Sequence, residues 1–185
     1  MDELTQIIEG CKKNKRSAQD RLYHKYSSLL FGICLRYCKS KPEAEDVLQE
    51  AFVKIYKHIT TFTPGKSFEG WIKRITVNTA ITNYRKEKKR SFHQDITEVE
   101  YSHPDQKYDH QAEFTQEELM KAIDRLPPGY KMVFNLYAIE GFKHKEIAEK
   151  LGVDINTSKS QLSRAKKHLQ GYLMEMSEIN IPQGY

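Results

Sequence analysis

Apolar positions recur at three- and four-residue spacing almost everywhere outside residues 91–115, which is the pattern of amphipathic helices. Leu22, Tyr26, Leu29/Leu30, Ile33 and Tyr37 form one stripe. Ala44, Val47/Leu48, Ala51/Phe52, Ile55/Tyr56 and Ile59 form a second. Phe68, Trp71/Ile72 and Ile75 open a third, which turns polar toward Arg85. Pro42 stands where a new helix would start. Pro64-Gly65 breaks the chain between the second and third stripes. Helical spacing resumes over residues 115–126, over 128–140 after Pro127-Pro128, over 143–151 and over 155–175. Residues 91–115 hold no sustained period and carry Pro104, His93, His103 and His110. They read as a flexible, negatively charged linker. The tail INIPQGY reads as frayed. No β-hairpin, βαβ unit or internal repeat is visible. The expectation is therefore all-α: a helical bundle over 1–90, the linker over 91–115, a helix-turn-helix domain over 116–175 and a tail over 176–185. Each domain is near the size at which one core is only marginally sufficient, so docking on a larger partner would help it.

Charge sharpens this picture. The 185 residues carry a net +5, but residues 91–118 hold eight acids against the single Lys107, a local −7. The rest of the chain therefore carries +12. Two basic blocks around an acidic segment point to nucleic acid, although a protein that merely coats a duplex has no use for the acidic part. The longest uncharged apolar run, Leu29–Leu35, is seven residues, far short of the roughly 18 of a spanning helix. The acidic start MDELTQIIEG has no signal-peptide apolar core. Three cysteines, Cys11, Cys34 and Cys38, make no disulfide framework and fit a reducing cytoplasm.

Three constellations carry chemistry. In HKEIAEKLGVDINTSKSQLSRAKKHL (residues 144–169), Ala148 falls where two helices cross closely, and Gly152 falls where the first must end in a left-handed residue. Ile147, Leu151, Leu162, Ala165 and Leu169 face inward, and Asn156 or Thr157 can cap the second helix. Its outer face presents Lys159, Ser160, Ser163, Arg164 and Lys167, suited to guanine edges and phosphates in a major groove. The bland alternative is a helical hairpin with a solvated basic face. In SFEGWIKRITVNTAITNYRKEKKR (residues 67–90), Arg74, Asn78, Thr82, Arg85 and Lys89 share one face, with Lys86 beside them. The loop before it carries Phe62 and Lys66 and leads to Phe68; aromatics beside cations can stack on splayed bases, although core is the simpler reading of Phe68 and Trp71. In KPEAEDVLQEAFVKIYKHI (residues 41–59), Asp46, Gln49, Glu50 and Val53 share the face opposite the apolar stripe, with Glu43 and Glu45 nearby. Acids near a helix N-terminus complement its dipole; they also suit a protein-docking surface. Cys34 and Cys38 are four apart, but no neighbouring His or Cys completes a tetrahedral set, so core filling is the simpler reading and no metal or cofactor is expected. There is no phosphate loop, nucleophile elbow or H-E-x-x-H, and no catalytic residue is expected.

The blocks PEAEDVLQEAFVKIY, FEGWIKRITVNTAITNYRKEKKR and LPPGYKMVFNLYAIEGFKHKEIAEKLGVDINTSKSQLSRAKKHL, in that order, resemble an extracytoplasmic-function (ECF) sigma factor of the sigma-70 family, from about Gln19 to about Tyr172. The resemblance implies a sigma-2 domain to about residue 90 and a sigma-4 domain from about 116. It implies a promoter-specificity subunit that brings core RNA polymerase to promoter DNA and supports strand opening. By it, the acidic face of 43–50 meets the clamp helices of the polymerase β′ subunit. The loop 61–67 captures a flipped base of the minus-ten element, and the helix 74–86 lies at the upstream edge of that element. The first sigma-4 helices meet the β flap, and the last helix, Thr157 through Lys167, reads the minus-thirty-five element. Asn78 and Arg85 match the family pattern. Thr82 stands where many members have Asp, and Ser158 where many have Val on a half-buried face. The acidic linker would thread a basic channel built for RNA. An anti-sigma factor is a possible further partner. The competing readings are a two-domain DNA-binding regulator acting without polymerase, and a metal- or thiol-dependent enzyme resting only on Cys34, Cys38 and scattered histidines.

Overall fold

A computed structural model describes residues 2–91 and 114–179 of the chain. Every regular element among them is helical, and they divide into two units, within residues 1–94 and 95–185. The expected linker lies outside the described residues except at its ends, as does the tail beyond residue 179.

The first unit opens with a helix the periodicity did not reveal, α1 (Glu3–Lys12). Asp2 caps it by accepting a 2.7 Å hydrogen bond from the Thr5 amide. Ile7, Ile8 and Cys11 are its buried face. Asn14, in the left-handed region at φ 53°, turns the chain into α2 (Arg16–Tyr37). The two helices cross so closely at Gly10 that a Cβ there would lie 2.5 Å from the Cβ of Ala18. α2 buries Leu22, Tyr26, Leu30, Ile33 and Tyr37, so the predicted stripe is the real one. At its Leu29/Leu30 step Leu30 goes inside, and Leu29 stays 39% exposed. Ser40 caps α3 (Lys41–His58), whose buried face is Ala44, Val47, Leu48, Ala51, Phe52 and Ile55. A short 3-10 turn, Ile59–Thr61, ends it.

The long helix α4 (Phe68–Ser91) packs against both α2 and α3. That double contact explains its odd inner face. Besides Phe68, Ile72, Val77, Ala80 and Ile81 it buries Thr76 and Thr79 almost completely. Each hydroxyl donates to a carbonyl one turn back, Thr76 to Ile72 (3.0 Å) and Thr79 to Ile75 (2.8 Å). A buried hydroxyl without such a partner would cost about 1–3 kcal/mol. Cys11, Cys34 and Cys38 are buried in this unit, with no disulfide among them. Burial pushes the Cys34 thiol up to about 12.

In the second unit, α5 (Gln116–Asp124) starts at a reciprocal cap. Thr115 accepts from the Glu118 amide, and the Glu118 carboxylate accepts from the Thr115 amide at 2.9 Å. Pro128 begins α6 (Pro128–Phe134) at the first helical position. A π-helical turn, Asn135–Ile139, follows where the periodicity suggested unbroken α-helix; Glu140 donates to the carbonyl of Asn135, five residues back. Gly141, at φ 74°, leads into α7 (His144–Leu151). α8 (Ile155–Ile179) is one continuous helix that runs past the expected boundary at residue 175. Ala165, Leu169 and Tyr172 on α8 form a core with Ala122, Ile123 and Leu126.

Gly10→Ala should destabilise the full chain by about 1–3 kcal/mol, because the rigid Cβ of Ala18 cannot retreat without moving α2. Thermal melting followed by circular dichroism tests this; an unchanged melting temperature would show that the crossing is looser than described.

Candidate nucleic-acid interface

The turn between α7 and α8 fixes the direction of the basic helix. Gly152 takes φ 66°, ψ 42°, a left-handed cap that a β-carbon would oppose. Its amide and that of Val153 both donate to the Ala148 carbonyl, at 2.9 and 3.1 Å. Ala148 is 8% exposed, as the close crossing requires. The cap of α8 is Asp154, whose carboxylate accepts from the Asn156 amide at 2.7 Å. Asn156 and Thr157, the expected caps, instead belong to the first turn of the helix. The helix starts earlier because Asp154 can reach an orphan amide from just outside it.

Ser158, Leu162, Ala165 and Leu169 point inward; Lys159, Ser160, Ser163, Arg164 and Lys167 are exposed and Thr157 is half-buried. Ser158, expected on a half-buried face, is fully buried, with Oγ 3.0 Å from Nδ1 of His144. The Ser160 hydroxyl donates to the Thr157 carbonyl (3.0 Å). The Arg164 guanidinium lies 3.4 Å from the Tyr130 hydroxyl.

On α4, Arg74, Thr82, Arg85, Lys86 and Lys89 are exposed, and Asn78 is half-buried. The Thr82 hydroxyl donates to the Asn78 carbonyl at 2.9 Å. Arg90 pairs with Glu87 at 2.9 Å. The loop before α4 exposes Lys66 and turns at Gly65, φ 86°.

Phe62 and Phe68, named above as candidate base platforms, lie inside the first unit. Both are buried, at 8% and 4% exposure, with their ring centroids 5.0 Å apart at an interplanar angle of 86°. Each meets Trp71 at 5.7 Å, and Phe68 also meets Tyr26 at 5.8 Å. These rings form one aromatic cluster. Burying such rings is worth far more than leaving them wet, and the apolar neighbours were at hand. Trp71 is the half-buried member of the cluster.

The acidic face of α3 divides in two. Glu45, Asp46 and Gln49 are exposed around Val53, which is 65% exposed. Glu43 is engaged inside the unit: one carboxylate oxygen accepts from Asn83 of α4 at 2.7 Å, the other from the Lys39 amide at 2.8 Å. Glu50 pairs with Lys54 at 2.7 Å. That hydrogen bond, with the charges of Lys54 and Lys86, holds its carboxyl below the usual range. The Lys54 ammonium also reaches the Thr79 hydroxyl, at 3.3 Å. Sequence reasoning missed the Glu43–Asn83 tie, because nothing local marks two polar residues forty positions apart as partners.

Among the described residues no cluster of His, Cys, Asp and Glu could hold a metal ion, and no helix is long and apolar enough to cross a membrane. Residues 22–90 match the family described as Sigma-70 region 2, and residues 116–169 match Sigma-70, region 4. The RNA polymerase sigma factor SigV of Bacillus subtilis is 34% identical over 137 residues, covering 74% of this chain and 80% of that protein. The chain belongs to the sigma-70 family, as a sigma factor of the ECF type. The ECF RNA polymerase sigma factor SigE of Mycolicibacterium smegmatis is 28% identical over 161 residues; the match takes in 85% of this chain and 62% of that longer protein. The RNA polymerase sigma-H factor of Pseudomonas aeruginosa is 26% identical, covering 92% of this chain and 94% of that one. Among solved structures, the sigma factor RpoE of Bartonella quintana, in complex with the anti-sigma factor NepR, is similar at 22% identity and a TM-score of 0.49, over 84% of this chain and 96% of that one. α4 and its loop thus fall in region 2, and the α7–α8 pair in region 4.

Glu43→Lys should destabilise the sigma factor by about 1–2 kcal/mol, since it removes two hydrogen bonds and sets a cation in the first turn of α3. Asp46→Lys, at an exposed position without such ties, should stay within about 0.5 kcal/mol of wild type. Urea denaturation of the two variants side by side measures the difference; equal stabilities would dissolve the distinction between a tie and a free face.

Proposed function

We propose that this sigma factor directs core RNA polymerase to specific promoters by presenting two DNA readers and one polymerase-docking face. The single observation that carries the reading is α8: five exposed polar or basic side chains stand on the back of a face that α5, α6 and α7 bury. Such a helix enters a major groove with its N-terminal half against the base edges. Lys159, Ser160, Ser163 and Arg164 read the upstream element; Thr157 and Lys167 flank them toward the phosphates.

α4 is the downstream reader. Arg74, Asn78 and Thr82 lie against the duplex edge, and Arg85, Lys86 and Lys89 neutralise backbone phosphates. Flipping a base out of the stack costs a few kcal/mol. Lys66 and the exposed loop around Gly65 receive that base, so the loop's backbone and polar groups grip it in place of ring stacking on Phe62 or Phe68. Glu45, Asp46 and Gln49 around Val53 make a small apolar contact rimmed by acids, suited to the clamp helices of the polymerase β′ subunit. The first helices of region 4 meet the β flap. Bond-making chemistry stays with the polymerase, and the cytoplasm is the compartment. An anti-sigma factor would act by covering these same faces.

Run-off transcription with core polymerase on a promoter library should show new start sites when the sigma factor is added, and none would defeat the reading. Arg164→Ala should relax discrimination in the upstream element by about 1–3 kcal/mol, the scale of a bidentate base contact, measured as the ratio of transcript from matched and mismatched promoters. Asp46→Lys should fold normally and lose capture of core polymerase in a pull-down; undiminished capture would move the docking face elsewhere. Robust, sequence-selective binding of the isolated chain to duplex promoters would favour a regulator that works without polymerase.

A further inference from the structure

The inner face of α8 is mostly apolar: Leu162 is buried, and Ala165, Leu169 and Tyr172 pack with Ala122, Ile123 and Leu126. Its N-terminal part, which carries the reading face, adds a polar contact. At its buried centre is a hydroxyl, Ser158, fully enclosed and 3.0 Å from Nδ1 of His144. His144 is the first residue of α7, and its ring stacks on Tyr137 of the π-helical turn, with centroids 4.8 Å apart and planes 22° apart. A chain of contacts therefore runs from the π-helical turn through the imidazole to the recognition helix.

We infer that His144 and Ser158 are a positioning pair that sets the rotation of the recognition helix about its axis, and with it which side chains face the bases. This rests on the reading of α8 as the upstream reader. The physical reason is directionality. An apolar contact tolerates several degrees of roll, because dispersion depends on distance more than on angle. A hydrogen bond weakens steeply off line. Ser158 immediately precedes Lys159 and Ser160 and lies about one helical turn before Leu162 and Ser163, so roll at this point moves the reading side chains together. The stack on Tyr137 restricts the plane in which the imidazole nitrogen can point. The hydroxyl can donate or accept, so the pair holds with either imidazole tautomer.

The test separates the bond from the ring. His144→Phe keeps an aromatic on Tyr137 and removes the bond; His144→Asn removes the stack and keeps an acceptor near the place of Nδ1; Ser158→Ala removes the hydroxyl. Full-length variants, with Arg164→Ala as reference, are compared with core polymerase on a library varied in the upstream element. His144→Phe and Ser158→Ala should each change the matched-to-mismatched ratio by about fivefold, the scale of one net hydrogen bond. The double variant should change it no further, and His144→Asn should lie closest to wild type. Equal loss of transcript on every promoter, additive effects in the double variant, or profiles like wild type would each overturn the inference while leaving α8 as the reader. A wild-type protein indifferent to the upstream element would overturn both.

Discussion

α4 is gripped on two sides, by α2 and by α3, and the first unit's outward chemistry is what that grip leaves over. Five residues of its inner face, Ile72, Thr76, Val77, Thr79 and Ala80, are at most 3% exposed. With that face buried, Arg74, Arg85, Lys86 and Lys89 stand outward. The same grip brings Asn83 onto Glu43 and Lys54 onto Thr79. Two helices with opposite surface charge are thus tied by two hydrogen bonds. Glu50 pairs with Lys54, and the hydrogen bond from Lys54, together with the charges of Lys54 and Lys86, holds its carboxyl below the usual range. A helix with an acidic outer face and a helix with a basic one are fixed to each other in this way.

The second unit solves a similar problem with less material. Gly152 turns the chain in the left-handed region, and the short side chain of Ala148 permits the close crossing. Short helices cannot bury much, and the continuous α8 compensates by packing along α5, α6 and α7 in turn. Arg125 reinforces the far end: its guanidinium lies 4.1 Å from the Tyr172 ring centroid and pairs with Glu175 at 2.9 Å.

Much of this is legible in the residues. Three- and four-residue spacing names the inner faces of α2 and α3 because each buries one continuous stripe. It names α4 less well, since a helix with neighbours on two sides hides Thr76 and Thr79 as well as Ile72. α1 escapes because Ile7, Ile8 and Cys11 are too few to make a period, although Asp2 before Glu3-Leu4-Thr5 is a readable cap. The π-helical turn escapes for a different reason: hydrogen-bond register leaves no trace in hydrophobic spacing. Basic side chains on α4 and α8 are legible as surface because charge is rarely buried unpaired. Phe62 and Phe68 are not, since an aromatic next to a lysine reads alike whether its ring points in or out. Pairings across distance, such as Glu43 with Asn83 or His144 with Ser158, exist only once the chain has folded.

All three sulfhydryl groups of the chain lie in the first unit, enclosed, and the second has none. Their ionisation is suppressed at Cys11 and Cys34 by the apolar surroundings, and the thiolate is the form that reacts with electrophiles. Alkylation of the intact molecule must therefore wait for that bundle to open. The rate of labelling then reports the opening of the unit that holds the thiols.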